Sequence, residues 1–158
     1  MKQQSTPRRQ LLAPASSLIL ALALLLPAAQ AHEYYAKSFT VIHPWALATE
    51  PGATSAPVYL HIADIAEDDR LLSANSNIAE RVEFRAAAAD PAGGHQHHPA
   101  LLAAIALPAA TSVALVAETA HLVLVNLTTP LQWQRSYPLT LVFEKAGTMQ
   151  VMVSIGEH

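Results

Sequence analysis

Three of the eight histidines of the chain lie within four residues, and this tract is the clearest chemical signal in the sequence. It consists of His95, His97 and His98, and it is preceded by Gly93 and Gly94. Neutral imidazole suits Cu(II), Zn(II) and Ni(II), and short histidine-rich tracts are typical of metal binding. The glycines keep the backbone adjustable, so several rings could turn towards one ion. The alternative is that the tract is a solvated polar loop tip. Which interpretation holds depends on the structural context that the rest of the sequence provides.

The start of the chain has the three parts of a secretory signal peptide. A basic segment, an apolar run and a small-x-small cleavage site follow one another: Lys2, Arg8 and Arg9, then Leu18 to Leu26, then Ala29-Gln30-Ala31. The apolar run is too short to cross a bilayer comfortably as a permanent anchor. We therefore expect a signal peptide over residues 1–31 and a single exported domain over residues 32–158, in the periplasm and without a membrane span. His32 would then come first. A free amine next to an N-terminal imidazole can chelate copper, but an exported protein can also begin with histidine by chance, and the predicted site does not use His32.

The composition limits what the exported domain can bind. Three of the nine basic side chains lie in the signal peptide, so six remain against twelve acidic ones, a formal charge of −6. An acidic domain of this kind is a poor partner for nucleic acid or anionic lipid and a better one for cations. The chain has no cysteine, which excludes disulfides and thiolate metal ligands. A metal would have to be held by histidine, methionine, carboxylate or backbone oxygen.

Alternating apolar residues predict seven or eight short strands and no long helix. The clearest strand is His121–Leu127, in which Leu122 and Leu124 take one face and His121 the other. Short strands at this spacing predict an all-β fold, an antiparallel β-sandwich or barrel. Residues 86–104 contain the histidine tract, and prolines and glycines divide them into pieces too short for a stable helix. We therefore predict a loop or loose hairpin there.

A tryptophan, a histidine and an acidic run are expected to be structural. Trp45 follows a proline where the first strand ends or bends, and we expect it to be a buried anchor and not part of a site. His61 alternates with large apolar residues, so we expect it at the surface or half-buried. The run Glu67-Asp68-Asp69 could be mistaken for a metal site, but consecutive carboxylates on a turn point in different directions. A solvated turn is the expectation for it.

A set of short segments, in a fixed order, covers nearly all of residues 32–155. They are His32-Glu33-Tyr34, His43-Pro44-Trp45-Ala46-Leu47-Ala48-Thr49, Pro51-Gly52-Ala53, Asp69-Arg70-Leu71, Ala79-Glu80-Arg81-Val82-Glu83-Phe84, His121-Leu122-Val123-Leu124, and the run from Pro138 to Gly147. With these segments the chain resembles the PCuAC family of periplasmic copper chaperones. The resemblance implies a cupredoxin-like β-sandwich that carries copper in the bacterial periplasm, usually for the Cu(A) centre of a haem-copper oxidase.

The metal motif of that family is only partly present in this chain. It resembles a His, a Met about ten residues later and a His-x-Met pair about twenty residues beyond. Arg85 stands at the place of the first His, and the last pair keeps His121 but has lost its Met. The middle Met would fall beside His97 and His98, so the resemblance places the histidine tract at a ligand position. The predicted metal ligands are His95, His97, His98 and His121.

Imidazole in place of thioether moves the expected preference away from Cu(I), so Cu(II) is favoured and Zn(II) is a further candidate. Arg85 counts against a metal site, because a fixed positive charge opposes a bound cation unless it holds a carboxylate such as Asp90 or an incoming anion.

Three functional classes stay open on these grounds. The first is a copper chaperone or buffer, with a cytochrome oxidase subunit or another periplasmic copper carrier as its partner. The second is a module of the same fold that has lost its metal and acts through protein contacts. The third is an enzyme, which is not expected, because no Ser-His-Asp order, nucleophile elbow or paired-carboxylate context is present.

Overall fold

The computed structural model describes residues 32–87 and 99–156, and every regular element within these two ranges is a β-strand. The strands are β1 (Glu33–Tyr35), β2 (Thr40–Ala46), β3 (Ser55–Ala63), β4 (Asp69–Asn75), β5 (Ala79–Arg85), β6 (Leu101–Leu102), β7 (Ile105–Leu107), β8 (Val113–Leu115), β9 (His121–Leu127), β10 (Ser136–Phe143) and β11 (Gly147–Ile155). Among the described residues, none forms a helix with the length and apolar character that a membrane crossing requires. The all-β prediction is confirmed, and β9 has the predicted bounds. The described ranges contain eleven strands instead of the predicted seven or eight, because β1, β6 and β7 have only two or three residues each, too few for an alternating pattern.

The strands form one mixed sheet in the order β6-β5-β9-β3-β2-β11-β10-β4-β7, with β1 added to β2 and β8 added to β3. The sheet is nearly closed, because β4 and β5, near its two ends, also contact each other. The strand pairs are antiparallel with one exception: β2 and β11 run parallel, through Trp45 opposite Ser154 and Ala46 opposite Ile155. A parallel pair needs a long connection, and here almost the whole domain lies between its two strands. The predicted sandwich-like fold is thus confirmed, with one parallel pair that strand periodicity does not reveal.

In most strands one face supplies the core, as the period of two requires, whereas in β9 Val123 and Val125 on the other face are buried as well. In β9, Leu122 and Leu124 are buried, while the ring of His121 at the start of the strand is half-buried. Full burial of an aliphatic side chain of this size contributes about 1.5–3 kcal/mol. Truncation of Leu122 to alanine should therefore cost about 2–5 kcal/mol, because the closed sheet has little freedom to collapse around the cavity.

Strand β3 changes partners halfway along its length. Residues 55–58 pair with β9, whereas residues 60–62 pair with β8. Tyr59 lies at the change, next to the point where β9 begins with His121. β9 therefore begins where β3 changes from one partner strand to the other. The side chain of His121 lies at the end of a ladder and not in the middle of a continuous sheet.

Strand β2 bends at His43 and Pro44, as the sequence predicted. Its register with β3 shifts between Ile42 and Trp45, so β2 carries one extra residue. Proline cannot donate to a ladder and is accommodated at such a bulge. His43 has a φ of 50°, in the left-handed region that non-glycine residues rarely adopt. The bulge therefore re-aims the side chains at the end of β2.

The prediction of a solvated acidic turn is wrong for Asp69. Its side chain is only 4% exposed, and its carboxylate accepts the backbone N–H groups of Arg70 at 2.7 Å, Lys145 at 2.9 Å and Ala146 at 2.9 Å. Burial alone would raise the pKa of Asp69, but these three donors and the charge of Lys145 hold that pKa below its ordinary value. Asp69 thus ties the start of β4 to the β10–β11 hairpin, a partner too distant in sequence for a local pattern to show.

The predicted loose hairpin around the histidine tract is confirmed at its base. Strands β5 and β6 pair through Phe84 opposite Leu102 and Arg85 opposite Leu101. Beyond them the N–H of Ala86 donates to the carbonyl of Ala100 at 2.9 Å. The two ends of the connection are thereby held together next to the end of β5.

Candidate metal site

His121 is the predicted ligand that the structure describes, and it lies opposite Arg85 in the β5–β9 register. On its other side the ring faces Tyr59 of β3, with 6.0 Å between the ring centroids. Tyr59 in turn packs on Trp45 of β2, with 4.7 Å between centroids. His121, Tyr59 and Trp45, which we call the aromatic row, are all half-buried. His121 therefore lies between Arg85, at the end of β5, and the packed rings of Tyr59 and Trp45.

The environment keeps the ring of His121 neutral. Burial lowers the pKa of His121 below its ordinary value, and the positive charge of Arg85 lowers it further. The backbone of Thr119 acts in the opposite direction as a hydrogen-bond partner of the ring, but the net direction is downward. The Nδ1 atom is buried and has no hydrogen-bond partner among the described residues. A metal binds imidazole in its neutral form, through a ring nitrogen that has no other partner.

Arg85 is engaged by a neighbour on its own strand. Its Nε and Nη2 atoms donate to one carboxylate oxygen of Glu83, at 3.1 Å and 2.7 Å, and Arg81 donates to the other oxygen at 2.9 Å. The Arg85 hydrogen bonds are the main reason that the pKa of Glu83 lies below its ordinary value. The alternative partner considered from sequence, Asp90, lies outside the described residues. Glu83 thus offsets part of the charge that would repel a cation near His121.

The other three predicted ligands, His95, His97 and His98, lie outside the described residues. Within residues 32–87 and 99–156, no group of three or more histidine or carboxylate side chains is arranged to hold a metal ion. His121 by itself therefore does not make a site in this part of the chain. His61, by contrast, is exposed on β3 as predicted.

The expectation that Trp45 is a buried anchor is wrong about its burial, whereas its exclusion from a site stays a prediction. Trp45 is half-buried, and it extends the aromatic row that ends at His121. The extra residue of the β2 bulge places Trp45 directly opposite Tyr59. Tyr59 itself was not singled out by sequence reasoning, although strand alternation put it on the same face as His61. Its pKa is raised, first by burial and then by the negative charge of Glu118, so its hydroxyl keeps its proton.

Sequence comparison assigns most of the chain to one family. A profile of the LpqE-like lipoprotein family matches residues 39–155, the range that includes β2 to β11. No curated protein matches the chain significantly. The chain has no cysteine, so a lipid attached through a cysteine thiol has no site within these 158 residues.

Solved structures of PCuAC domains share the fold. The copper-bound PCuAC domain from PmoF2 is 28% identical with a TM-score of 0.67, and the match covers 80% of this chain and 99% of that domain. The apo PCuAC domain from PmoF1 is 25% identical with a TM-score of 0.67, over 80% of this chain and 100% of that domain. Apo-DR1885 from Deinococcus radiodurans is similar in fold alone, at 18% identity and a TM-score of 0.58, over 99% of this chain and 97% of that one. By sequence the chain belongs to the LpqE-like family, and by sequence and fold it is a member of the PCuAC family.

Proposed function

We propose that the protein is an exported copper-binding protein that works as a copper chaperone or buffer. Its family supports this role, because the PCuAC domain from PmoF2, 28% identical to this chain, binds copper. The observation that carries the proposal is His121, a half-buried neutral imidazole with an unpaired ring nitrogen. The proposal assigns no enzymatic reaction to the protein, and copper is its cargo.

The proposed site combines His121 with two of the three tract histidines, His95, His97 and His98. A strand residue and a loop then share the ion, which gives one ligand of fixed position and two that adapt. Three imidazoles without a thioether favour Cu(II) over Cu(I), and Zn(II) is acceptable to the same ligands. One open coordination position would let a recipient ligand enter before the protein releases the ion.

The connectivity of the chain supports this combination. Arg85 pairs with His121 on one side and with Leu101 on the other, so the connection that contains the tract begins one residue beyond the position opposite His121. The hydrogen bond between Ala86 and Ala100 keeps its two ends together. His98 precedes Ala100 by two residues, so the two Cα atoms are at most about 7 Å apart along the chain. His98 is therefore tethered within two residues of the end of β5, the strand that pairs with β9 at His121.

The recipient is proposed to be a cytochrome oxidase subunit or another periplasmic copper carrier. The formal charge of −6 after signal removal favours encounter with cations and with basic partner surfaces, and such steering weakens as the salt concentration rises. Periplasmic location is part of this proposal, since the cargo must be received and delivered outside the cytoplasm.

The test is a Cu(II) titration of the processed protein against a competing chelator. His121→Ala should weaken the site by at least about 100-fold, more than the loss of an outer-sphere partner usually costs. The triple variant His95→Ala/His97→Ala/His98→Ala should weaken it as strongly. His61→Ala is the matched control, because His61 is an exposed strand histidine, and it should change nothing.

Each possible result distinguishes a real site from its alternatives. If His121→Ala binds as the parent does while the triple variant does not bind, the tract is an adventitious chelator and the composite site is wrong. If neither change matters because the parent has no affinity at this site, a module that acts through protein contacts is the better function. The half-exposed aromatic row is the feature that favours that second candidate, since aromatic side chains are enriched at protein interfaces.

A further inference from the structure

We infer that a cleft between the β1–β2 connection and the β10–β11 hairpin binds a small amphipathic anion, an apolar body that carries a carboxylate or a sulfonate. The cleft, which we call the lysine cleft, has a volume of about 560 Å³, and its walls include Tyr35, Lys37, Phe143, Lys145 and Met149. Pockets that bind small molecules ordinarily measure about 300–1,000 Å³. Its described lining contains no residue of β5 or β9, so the inference does not depend on the copper site proposed above.

The charge of the cleft differs from that of the rest of the domain. Residues 32–158 contain twelve acidic side chains and two lysines, and both lysines line this cleft. The arginines Arg70, Arg81 and Arg85 each have a carboxylate oxygen at 2.7–3.8 Å. Neither Lys37 nor Lys145 has such a partner in the part of the chain that the structure describes. Their two ammonium groups are therefore available to an anion from outside, and hydrogen bonds between ions are among the stronger ones.

Backbone hydrogen bonds hold the main chain at both lysines. The N–H of Ala36 donates to the carbonyl oxygen of Phe39 at 2.9 Å, which closes the turn that contains Lys37. The N–H of Lys145 donates to the buried carboxylate of Asp69 at 2.9 Å. The two positions are thus fixed before a ligand arrives, and this lowers the entropy that binding costs.

Two carboxylates limit which anions the cleft can attract. Glu67 lines the cleft, although it forms no ion pair with either lysine within the described ranges. Both oxygens of Asp69 accept backbone N–H groups, and its negative charge acts on Lys145 without direct contact. These charges weaken the attraction of a distant anion. Binding therefore has to combine direct contact with the ammonium groups and burial of an apolar body.

The walls of the cleft supply the surface for such a body. Phe143 packs on Phe39 with 4.6 Å between the ring centroids, and Met149 packs against the hydrophobic core. Tyr35 is 73% exposed, the largest exposed fraction among the large hydrophobic side chains that the structure describes. An aromatic ring and the methylene stems of the lysines can cover an apolar body while the ammonium groups contact its charged end. The cleft thus favours an amphipathic anion over inorganic phosphate or sulfate.

The test is a fluorescence titration of the full-length chain, exported and purified after processing, with 8-anilinonaphthalene-1-sulfonate. This aromatic sulfonate becomes fluorescent in apolar surroundings, and one molecule should bind per chain. Lys37→Gln and Lys145→Gln should each weaken binding about fivefold, and the double variant about 25-fold. Both substitutions keep the backbone N–H groups, so the hydrogen bond to Asp69 is retained. Arg135→Gln removes an exposed charge outside the cleft and should bind as the parent does.

A matched pair of variants at Thr148 tests the location of the probe. Thr148 is exposed and lines the cleft. Thr148→Glu adds a negative charge there and should weaken binding about fivefold, whereas Thr148→Gln, of similar size and without charge, should change it less than about twofold. The neutral compound N-phenyl-1-naphthylamine has the same rings without the sulfonate. It should bind more weakly, and the lysine substitutions should leave its affinity unchanged.

Three results would overturn the inference. Equal affinity of the parent and the double lysine variant would show that the sulfonate binds to another apolar surface. Equal affinity for the charged and the neutral compound would show that the ammonium groups contribute nothing, and a parent that binds no sulfonate has no such site. The copper titrations of His121 variants involve neither lysine, so failure of this inference and failure of the proposed function are distinguishable.

Discussion

At the scale of single residues, the chemistry of the candidate site depends on how charge is distributed around His121. Its ring is neutral because of burial and the nearby charge of Arg85, and Arg85 is itself compensated by Glu83. Glu83 is shared between Arg81 and Arg85, so it offsets only part of the positive charge that a cation at the proposed site would meet. Two predictions belong to this scale.

The first concerns Arg85→Gln. This change removes the smaller of the two influences that lower the pKa of His121, so that pKa should rise towards its ordinary value of about 6.5. The affinity for Cu(II) above pH 7 should also increase, because a positive charge near the ion is lost. NMR titration of the His121 ring and copper titration measure the two effects. Arg81→Gln, which removes the other partner of Glu83, is the control and should leave the pKa of His121 nearly unchanged.

The second concerns the pH dependence of copper binding at the same site. Protons compete with the ion, so affinity is full while the ligands are neutral and falls as the pH drops through their pKa values. With a pKa below about 6.5, His121 should remain available to the ion at a pH where ordinary imidazoles are already protonated. The tract histidines are common to the parent and to His121→Ala, so the affinity ratio of the two proteins follows the neutral fraction of His121. Between pH 7 and pH 6 this ratio should fall by less than the roughly threefold change expected for an imidazole of ordinary pKa. A fall of about threefold or more would contradict the lowered pKa.

At the scale of elements, the ends of strands set both stability and the geometry of the site. The bulge of β2 brings Trp45 onto Tyr59, the change of partner in β3 leaves His121 at an edge, and Asp69 joins β4 to the β10–β11 hairpin. Each of these features is a departure from a regular ladder. The residues of the proposed site therefore lie where the ladders are irregular, while the regular parts of the strands supply the hydrophobic core.

The stability prediction at this scale concerns Asp69→Ala. The change leaves the N–H groups of Arg70, Lys145 and Ala146 without their acceptor, and we expect a loss of about 2–4 kcal/mol in the free energy of unfolding. Because the folded pKa of Asp69 is lowered, its contribution is present above its ordinary pKa of about 3.9 and is lost as the pH falls through the folded value. Urea unfolding between pH 7 and pH 2 measures both effects. Glu67→Ala, at an exposed position in the same acidic run, is the control and should shift the midpoint little.

At the scale of the whole molecule, the described chain has one hydrophobic core from β2 to β11 and no cysteine to reinforce it. The parallel pair of β2 and β11 lies in the middle of the strand order and joins elements from the two ends of the described sequence. Truncation at either end should therefore destabilise the entire sheet and not only the strand that is removed.

The prediction for the whole molecule is that export yields residues 32–158 without an attached lipid. The absence of cysteine leaves no thiol for lipid attachment within this sequence, despite the lipoprotein description of its family. The protein should appear in the periplasmic extract with the unmodified mass of that chain. Recovery in the membrane fraction with residues 18–26 still present would show that the apolar run is an anchor.

The sequence by itself determined which residues form strands, where the chain turns and which family pattern it follows, because these properties depend on neighbours a few positions apart. The bounds of β9, the hairpin base around the histidine tract and the exposure of His61 were readable in this way. Only the tertiary structure decided that Asp69 is buried, that Trp45 reaches Tyr59 and that Arg85 is held by Glu83. The burial of a residue depends on strands that are far apart in the chain, and its ion-pair partner depends on where neighbouring side chains lie. The alternation of apolar residues along one strand therefore predicts neither.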